Sequence, residues 1–227
     1  MYEAFFKRLM DFSLSFFALI VLSPVILIFT VIGFFAMGGN PFFFQLRPGR
    51  NEKIFRMIKF RTMTNAKDSE GNLLPDSDRL IPYGKFLRST SLDELPELIN
   101  ILKGDMSIVG PRPLLVEDML FMSDKQRNRH SVRPGLSGLA QCNGRNNMSW
   151  ERKLEYDLEY IQNITFWGDW KIIFKTVFKV FLRDGITRDD MATDMNLGDW
   201  LLLNGKVDRE YYDLRITEAK EMESLHI

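Results

Sequence analysis

The pattern of this chain is set by where its charges stop. Between Asp11 and Arg47 no ionisable side chain occurs, and Phe12 to Met37 is almost continuously apolar. About 20 apolar residues are enough to cross a bilayer, so the run predicts a membrane-inserted helix. Its length and the lack of a clear small-residue cleavage site argue against a removed signal peptide. Two features argue against a plain span. Ser23-Pro24 interrupts the run near its middle, where proline removes a backbone donor. Basic residues also flank both ends, Lys7 and Arg8 before and Arg47, Arg50, Lys53 and Arg56 after, and basic flanks favour the cytoplasmic side. Each arm around Pro24 holds roughly 12–14 residues, or about 18–21 Å of helix, short of a hydrocarbon core of about 30 Å. The reading is a bent, re-entrant helix within residues 1–40.

Beyond it the periodicity changes. Phe42–Leu46 and Lys53–Met63 flank the turn-forming Arg47-Pro48-Gly49-Arg50-Asn51 and predict a short β-hairpin over residues 42–62. Period two puts Phe55, Met57, Lys59 and Arg61 on one face, and a solvated edge is the plain reading for Lys59 and Arg61. Residues 64–80 are polar, with Gly and Pro, and predict a surface loop. A helix is predicted from Leu114 to Asn128, with basic residues towards its C-terminal end, and another over Met148–Ile161 with Trp150, Leu154, Leu158 and Ile161 on one stripe. Ile164–Leu182 opposes an aromatic and aliphatic face to Lys171, Lys175, Lys179 and Arg183. Two readings stand for it: a helix lying in an anionic membrane surface, or a core helix whose lysines reach outward. The fold class is α+β and predominantly helical: a re-entrant membrane helix, a β-hairpin and interfacial amphipathic helices around a small globular domain.

Composition narrows the chemistry. The chain has 227 residues, with 30 basic and 30 acidic side chains, so no global charge argues for nucleic acid. Cys142 stands alone and the histidines are His130 and His226, which excludes an internal disulfide and a His- or Cys-built metal site. A metal here would be a hard cation on carboxylates and phosphates.

The candidate chemistry lies in Ser91-Leu92-Asp93-Glu94-Leu95-Pro96. Ser91 with Glu94 reads as a capping box, and Asp93 in a first turn suits the helix dipole. Pro96 then falls where its N–H would be needed, so the start is distorted or the true cap lies later. Arg88 precedes the pair, and Gly110-Pro111-Arg112-Pro113 holds a guanidinium in a fixed direction, as bidentate phosphate recognition requires. Carboxylates, fixed arginines and a membrane anchor together point to phosphoryl chemistry at a lipid surface. Asp76-Ser77-Asp78 offers a weaker D-x-D alternative for a divalent metal.

These strings, with Leu22-Ser23-Pro24, Arg47-Pro48-Gly49, Lys59-Phe60-Arg61-Thr62-Met63, Leu102-Lys103-Gly104-Asp105-Met106-Ser107, Val132-Arg133-Pro134-Gly135 and Asn143-Gly144-Arg145, resemble the small monotopic phosphoglycosyl transferases. These bacterial sugar transferases start glycan assembly on a polyprenol phosphate, and the likeness is greatest to the branch that initiates bacterial N-linked protein glycosylation. It covers residues 1 to about 206, implying a membrane helix over 1–40 and a catalytic domain over 41–206. Residues 207–227 are an extension of unknown role. The resemblance implies that Asp93 attacks the β-phosphorus of a UDP-sugar, releases UMP and carries the phosphosugar until undecaprenyl phosphate takes it. It puts Mg²⁺ on Asp93, a proton-handling or positioning role on Glu94, and phosphate binding on Arg88 and Arg112, with Lys59 and Arg145 beside them. The loops around Arg133 and Arg145 would shape the sugar and nucleotide pocket. It implies a bacterial inner-membrane protein at the cytoplasmic face among membrane lipids. The alternatives are a UDP-releasing, metal-dependent glycosyltransferase built on Asp76 and Asp78, and a non-catalytic membrane scaffold.

Overall fold

The computed structural model describes residues 2–144, 148–182 and 195–226. A π-helical turn over Tyr2–Phe6 runs into α1, Lys7–Ala36. Pro24 lies inside α1 without ending it. The Ser23 hydroxyl donates to the Ile20 carbonyl at 2.8 Å, and this is the carbonyl that the missing N–H of Pro24 would have met. The Ser-Pro pair therefore leaves no orphan acceptor, which in hydrocarbon would cost several kcal/mol. Most of α1 is exposed and apolar, including Phe17, Val21, Leu27 and Phe35. It is long and apolar enough to cross a membrane, and its sparse burial sets it apart from a core helix.

The hairpin forms as predicted. Strands β1, Phe42–Pro48, and β2, Ile54–Phe60, pair antiparallel with Gln45 opposite Met57. The loop that follows contains one turn of helix, α2, Asp76–Arg79, and leads into α3, Pro82–Thr90. Gly84 lets α3 touch the hairpin, since a Cβ there would sit 1.8 Å from the Thr62 carbonyl oxygen. Helix α4 spans Glu97–Lys103 and strand β3 spans Ser107–Val109.

The single helix predicted over Leu114–Asn128 is instead two, α5, Val116–Leu120, and α6, Asp124–Arg127, then a 3₁₀ turn over Asn128–Ser131. The break has a local cause. Ser123 and Gln126 make a reciprocal capping box that starts a second helix, and the Asp118 carboxylate folds back onto the Leu115 N–H at 2.9 Å. Strand β4, Gly135–Ser137, pairs parallel with β3. Gly135 permits this approach, because a Cβ there would meet the Gly110 nitrogen at 2.1 Å. Helices α7, Leu139–Asn143, α8, Trp150–Gln162, α9, Phe166–Leu182, α10, Leu197–Leu203, and α11, Arg209–Ser224, complete the chain.

The core assembles around α4. Its Leu98 and Ile101 pack with Met57 and Met106, and Ala18, Leu19 and Leu22 of α1 lie against them. Arg8 donates to the Ile101 and Leu102 carbonyls at 2.6 and 2.8 Å, capping the C-terminal end of α4. Further along α1, the Tyr83 hydroxyl donates to the Phe29 carbonyl at 2.9 Å, and Phe29 stacks on Phe86. Both arms of α1, on either side of Pro24, thus rest on one globular body.

Helix α9 buries Asp169 and Ile172 while Phe166, Trp167, Phe174, Val177 and Phe178 stay exposed, which favours the surface reading over the core reading. Asp169 accepts from Lys7, Tyr2 and Tyr160 at 2.6, 2.7 and 2.8 Å, tying α9 to α1 and α8. The segment read as an extension shares the core: Ala219 and Met222 of α11 pack with Val116, Met119, Leu120, Ile54 and Leu46.

Candidate active site

Ser91 closes α3 in the left-handed conformation, φ 55°, a strained geometry for a residue with a side chain. Its side chain makes no capping hydrogen bond, so the capping box expected between Ser91 and Glu94 does not form. Leu92–Glu94 is a 3₁₀ turn, and α4 begins only at Glu97 with Pro96 as its N-cap. Pro96 therefore stands where an N–H has no helical partner to lose. The strained serine and the late helix start present Asp93 and Glu94 on a tight turn. At three residues per turn, neighbouring side chains there diverge by roughly 120°.

The two acids meet different surroundings. Glu94 Oε1 lies 2.9 Å from Lys59 Nζ and 2.8 Å from Arg112 Nη2. Asp93 has no hydrogen bond or ion pair among the described residues, although Lys59, Arg88 and Arg112 all lie close enough to stabilise its charge. Burial would raise Glu94, but Arg112 and Lys59 together outweigh it and hold the carboxyl well below the usual range. Burial, reinforced by the negative charge of Glu94, pushes Asp93 up to about 6. The pair is thus split: Glu94 stays anionic, and Asp93 is a more basic carboxylate that is still mostly ionised at neutral pH.

Lys59 is not on a solvated edge. The site face of β2 is covered by the Leu92–Glu94 turn and α4, and Lys59 also pairs with Glu97 at 3.1 Å. Glu97, 2 % exposed, is a third carboxylate that the motif reading missed. Burial raises it to about 7 against the pull of Lys59, so it can carry a proton near neutrality. Its signal in sequence was weak: one more acid after Pro96, beside a strand lysine. Asn100 was missed too. Its side chain accepts from the Ile58 N–H at 3.0 Å and donates to the Arg56 carbonyl at 2.8 Å, satisfying the open edge of β2 and fixing α4 against it.

Arg112 is anchored through its backbone. Its carbonyl accepts from Arg129 Nη2 at 2.5 Å, and Arg129 is held by buried Asp157, Nε to Oδ2 at 2.9 Å. The Arg112 guanidinium itself is nearly half exposed, free to reach a ligand. Arg88 donates from Nε to Thr62 Oγ1 at 3.0 Å, and burial lowers its pKa. Arg145 lies outside the described residues. Arg133 does not join this group, because its Nε donates to the Gly104 carbonyl at the far end of α4.

Asp76 pairs with Arg79 at 3.4 Å on the exposed α2 turn. No group of three or more His, Cys, Asp or Glu gathers as a metal cage among the described residues. The residues fit a different arrangement. Mg²⁺ is commonly held by one or two carboxylates plus substrate phosphates, and among the described residues Asp93 is the one acid of this site without an ion-pair partner.

Comparison with known proteins supplies the family. The model of the bacterial sugar transferase family matches residues 2–183. The chain belongs to that family. Among its relatives, this sugar transferase is 47 % identical over 187 residues to an uncharacterized sugar transferase, EpsL, of Bacillus subtilis, covering 82 % of this chain and 93 % of that one. It is 41 % identical over 188 residues to the UDP-glucose:undecaprenyl-phosphate glucose-1-phosphate transferase of Klebsiella pneumoniae, covering 78 % and 40 %. It is 36 % identical over 198 residues to the undecaprenyl-phosphate galactose phosphotransferase of Salmonella typhimurium, covering 80 % and 41 %. This sugar transferase spans about two fifths of the length of the latter two. The family match ends within the stretch after α9, so α10 and α11 lie beyond it.

Proposed function

We propose that this sugar transferase is a phosphoglycosyl transferase: it moves a sugar 1-phosphate from a UDP-sugar to undecaprenyl phosphate through a covalent intermediate on Asp93. The reaction class rests on the family and on relatives named as undecaprenyl-phosphate sugar-phosphate transferases. The observation that carries the covalent step is Asp93 itself, an acid with no hydrogen-bond or ion-pair partner among the described residues, in the field of Lys59, Arg88 and Arg112.

In the first step an Asp93 carboxylate oxygen attacks the β-phosphorus. The bond from that phosphorus to the bridging oxygen breaks, and UMP leaves with the electron pair. In the second step a phosphate oxygen of undecaprenyl phosphate attacks the same phosphorus. The acyl phosphate bond breaks, the carboxylate is regenerated, and undecaprenyl diphosphate-sugar is released. Covalent catalysis divides one displacement into two, and positioning with electrostatic stabilisation dominates phosphoryl transfer. Arg112 and Arg88 steady the donor's phosphates. Lys59, locked between Glu94 and Glu97, holds the turn in place and adds positive charge. Glu94 orients Arg112 and Lys59. Mg²⁺, when bound, would spread the charge on the phosphate oxygens, and Asp93 is the residue that would hold it.

The membrane placement belongs to the same proposal. The chain is membrane-associated through α1, and we place α1 as a re-entrant element at the cytoplasmic face of the inner membrane. Support comes from Arg8 and Phe29, which bond the same globular body. They are 21 residues apart (29 minus 8), about 32 Å of helix. A helix crossing a core of about 30 Å would carry one of these positions away from that body.

Two measurements test the proposal. Incubation with a labelled UDP-sugar, Mg²⁺ and undecaprenyl phosphate is expected to release UMP and, before acceptor is added, to leave a phosphosugar mass on the Asp93 peptide. Release of UDP, or an adduct on another residue, overturns the mechanism. Cysteine-accessibility labelling is expected to find residue 3 and residue 50 on the same side, and opposite sides would overturn the re-entrant placement.

A further inference from the structure

Where α1 meets the globular body, a polar cavity of about 290 Å³ is lined by Arg8, Arg50, Arg133, Lys7, Asp11 and Glu3, with Val132 and Ile164 at its wall. It lies at the C-terminal end of α4, one helix length or about 10 Å from the turn that carries Asp93. Three guanidinium groups meet here, and none of them pairs with a carboxylate among the described residues. Arg8 bonds the carbonyls of Ile101 and Leu102, Arg50 that of Ser131, and Arg133 that of Gly104. Of five N–H donors on each group, Arg8 thus uses two and the other two arginines one each among the described residues. Like charge is felt inside the cluster: after burial, Arg8 and Arg50 are the largest influences lowering Arg133. Lys7 is matched by Asp169. Asp11 is committed to the Ser107 hydroxyl and the Ile108 N–H, and Glu3 is exposed. Counting the three arginines against Asp11 and Glu3 leaves one positive charge in excess.

We propose that the Arg8–Arg50–Arg133 pocket binds the phosphate of an anionic membrane phospholipid, as a site separate from the one that performs sugar-phosphate transfer. Guanidinium forks match phosphate oxygens bidentately, and three of them converge with donors to spare. A lipid, rather than free phosphate, is the source because of the neighbouring surface. Phe5 and Phe6 of the π-helical turn and Leu9 and Phe12 of α1 are all exposed, as is Trp167 at the start of α9. They supply apolar cover for acyl chains beside a cationic seat for the headgroup. The cavity is at the small end of ligand pockets, ~300–1,000 Å³, the right scale for a headgroup rather than a nucleotide sugar. The site would fix the seating of α1, because Arg8 joins headgroup, α1 and the end of α4 in one side chain. The proposal rests on the membrane placement of α1 and not on the transfer reaction.

The test uses the full chain in a neutral detergent, titrated separately with short-chain phosphatidylglycerol, phosphatidylcholine of equal chain length, and inorganic phosphate, reading the thermal unfolding midpoint. Phosphatidylglycerol is expected to raise Tm saturably and the other two to leave it nearly unchanged. Arg50→Glu, at an exposed position whose one side-chain hydrogen bond among the described residues is to the Ser131 carbonyl, is expected to weaken the apparent lipid affinity at least tenfold. Its lipid-free Tm and its UMP release in phosphatidylcholine should stay at wild-type values. Arg50→Gln serves as the second variant and should show a smaller loss. Equal shifts from the two lipids, or a wild-type response from both variants, would overturn the site. A free-phosphate shift as large as that of phosphatidylglycerol would overturn the lipid assignment. UMP release measured alongside separates this outcome from failure of the transfer reaction.

Discussion

Asp93 and Glu94 differ by one position and by the company they keep, and most of the testable chemistry follows from that difference. Asp93→Asn should abolish the covalent adduct and reduce UMP release by at least ~10³-fold, as expected for loss of a nucleophile. It should also raise Tm by a few degrees, because a charge held in low dielectric beside Glu94 is removed; a thermal melt of the pure variant reads this. The nucleophile must be deprotonated and its carboxyl is raised to about 6, so kcat/KM should fall as pH drops through about 6. Glu94→Gln removes the like charge that helps to raise Asp93, so the acid limb of that profile should move to lower pH even as turnover drops. Lys59→Met leaves Glu94 and Glu97 short of their shared cation, and breaking such a buried pair costs about 3–5 kcal/mol. Glu97 sits near 7, so acidification from pH 8 to pH 6 should recover part of the lost Tm as it takes up a proton. The acids and Arg112 were legible in sequence because rigid neighbours and spacing mark them. Glu97, Asn100 and Arg129 were not, because their roles exist only once β2, α4 and α8 pack together.

Among the elements, the hairpin was readable because period two and the Pro-Gly turn agree. The start of α4 was misread because a left-handed Ser91 is imposed by the junction with α3 and leaves no mark in the pattern. The region after Leu114 was misread for the opposite reason: its apolar spacing suits one helix, and the Ser123–Gln126 cap that splits it is a two-residue signal inside a long one. Helix α1 was readable as a long apolar helix, yet the function of Ser23 became visible only with its hydrogen bond to Ile20. Ser23→Ala should destabilise α1 by about 0.6–2 kcal/mol, the range of such bonds in membranes. Adding Pro24→Ala should restore the loss, because alanine supplies the N–H that Ile20 lacks. Thermal melts of the single and double variants in detergent measure the coupling.

At the scale of the whole molecule, the extension beyond the family match is part of the body that holds the site. Ending the chain after Lys206 removes α11 and uncovers Val116, Met119 and Leu120, all nearly inaccessible in the intact fold. Each such side chain contributes about 1.5–3 kcal/mol on burial, so the truncated chain should unfold at a markedly lower temperature while α1 still holds it to the membrane. Flotation with vesicles and a melt of the same sample would separate those two effects. The join between α1 and α4 carries a geometric consequence. One end of α4 is bolted to the membrane helix by Arg8 and the other supports the acidic turn, so α4 acts as a spacer of fixed length. On the proposed placement, the reacting carboxylate stands at a set altitude over the lipid. The enzyme then gauges how deep an acceptor's phosphate lies and is indifferent to how long a tail trails beneath it.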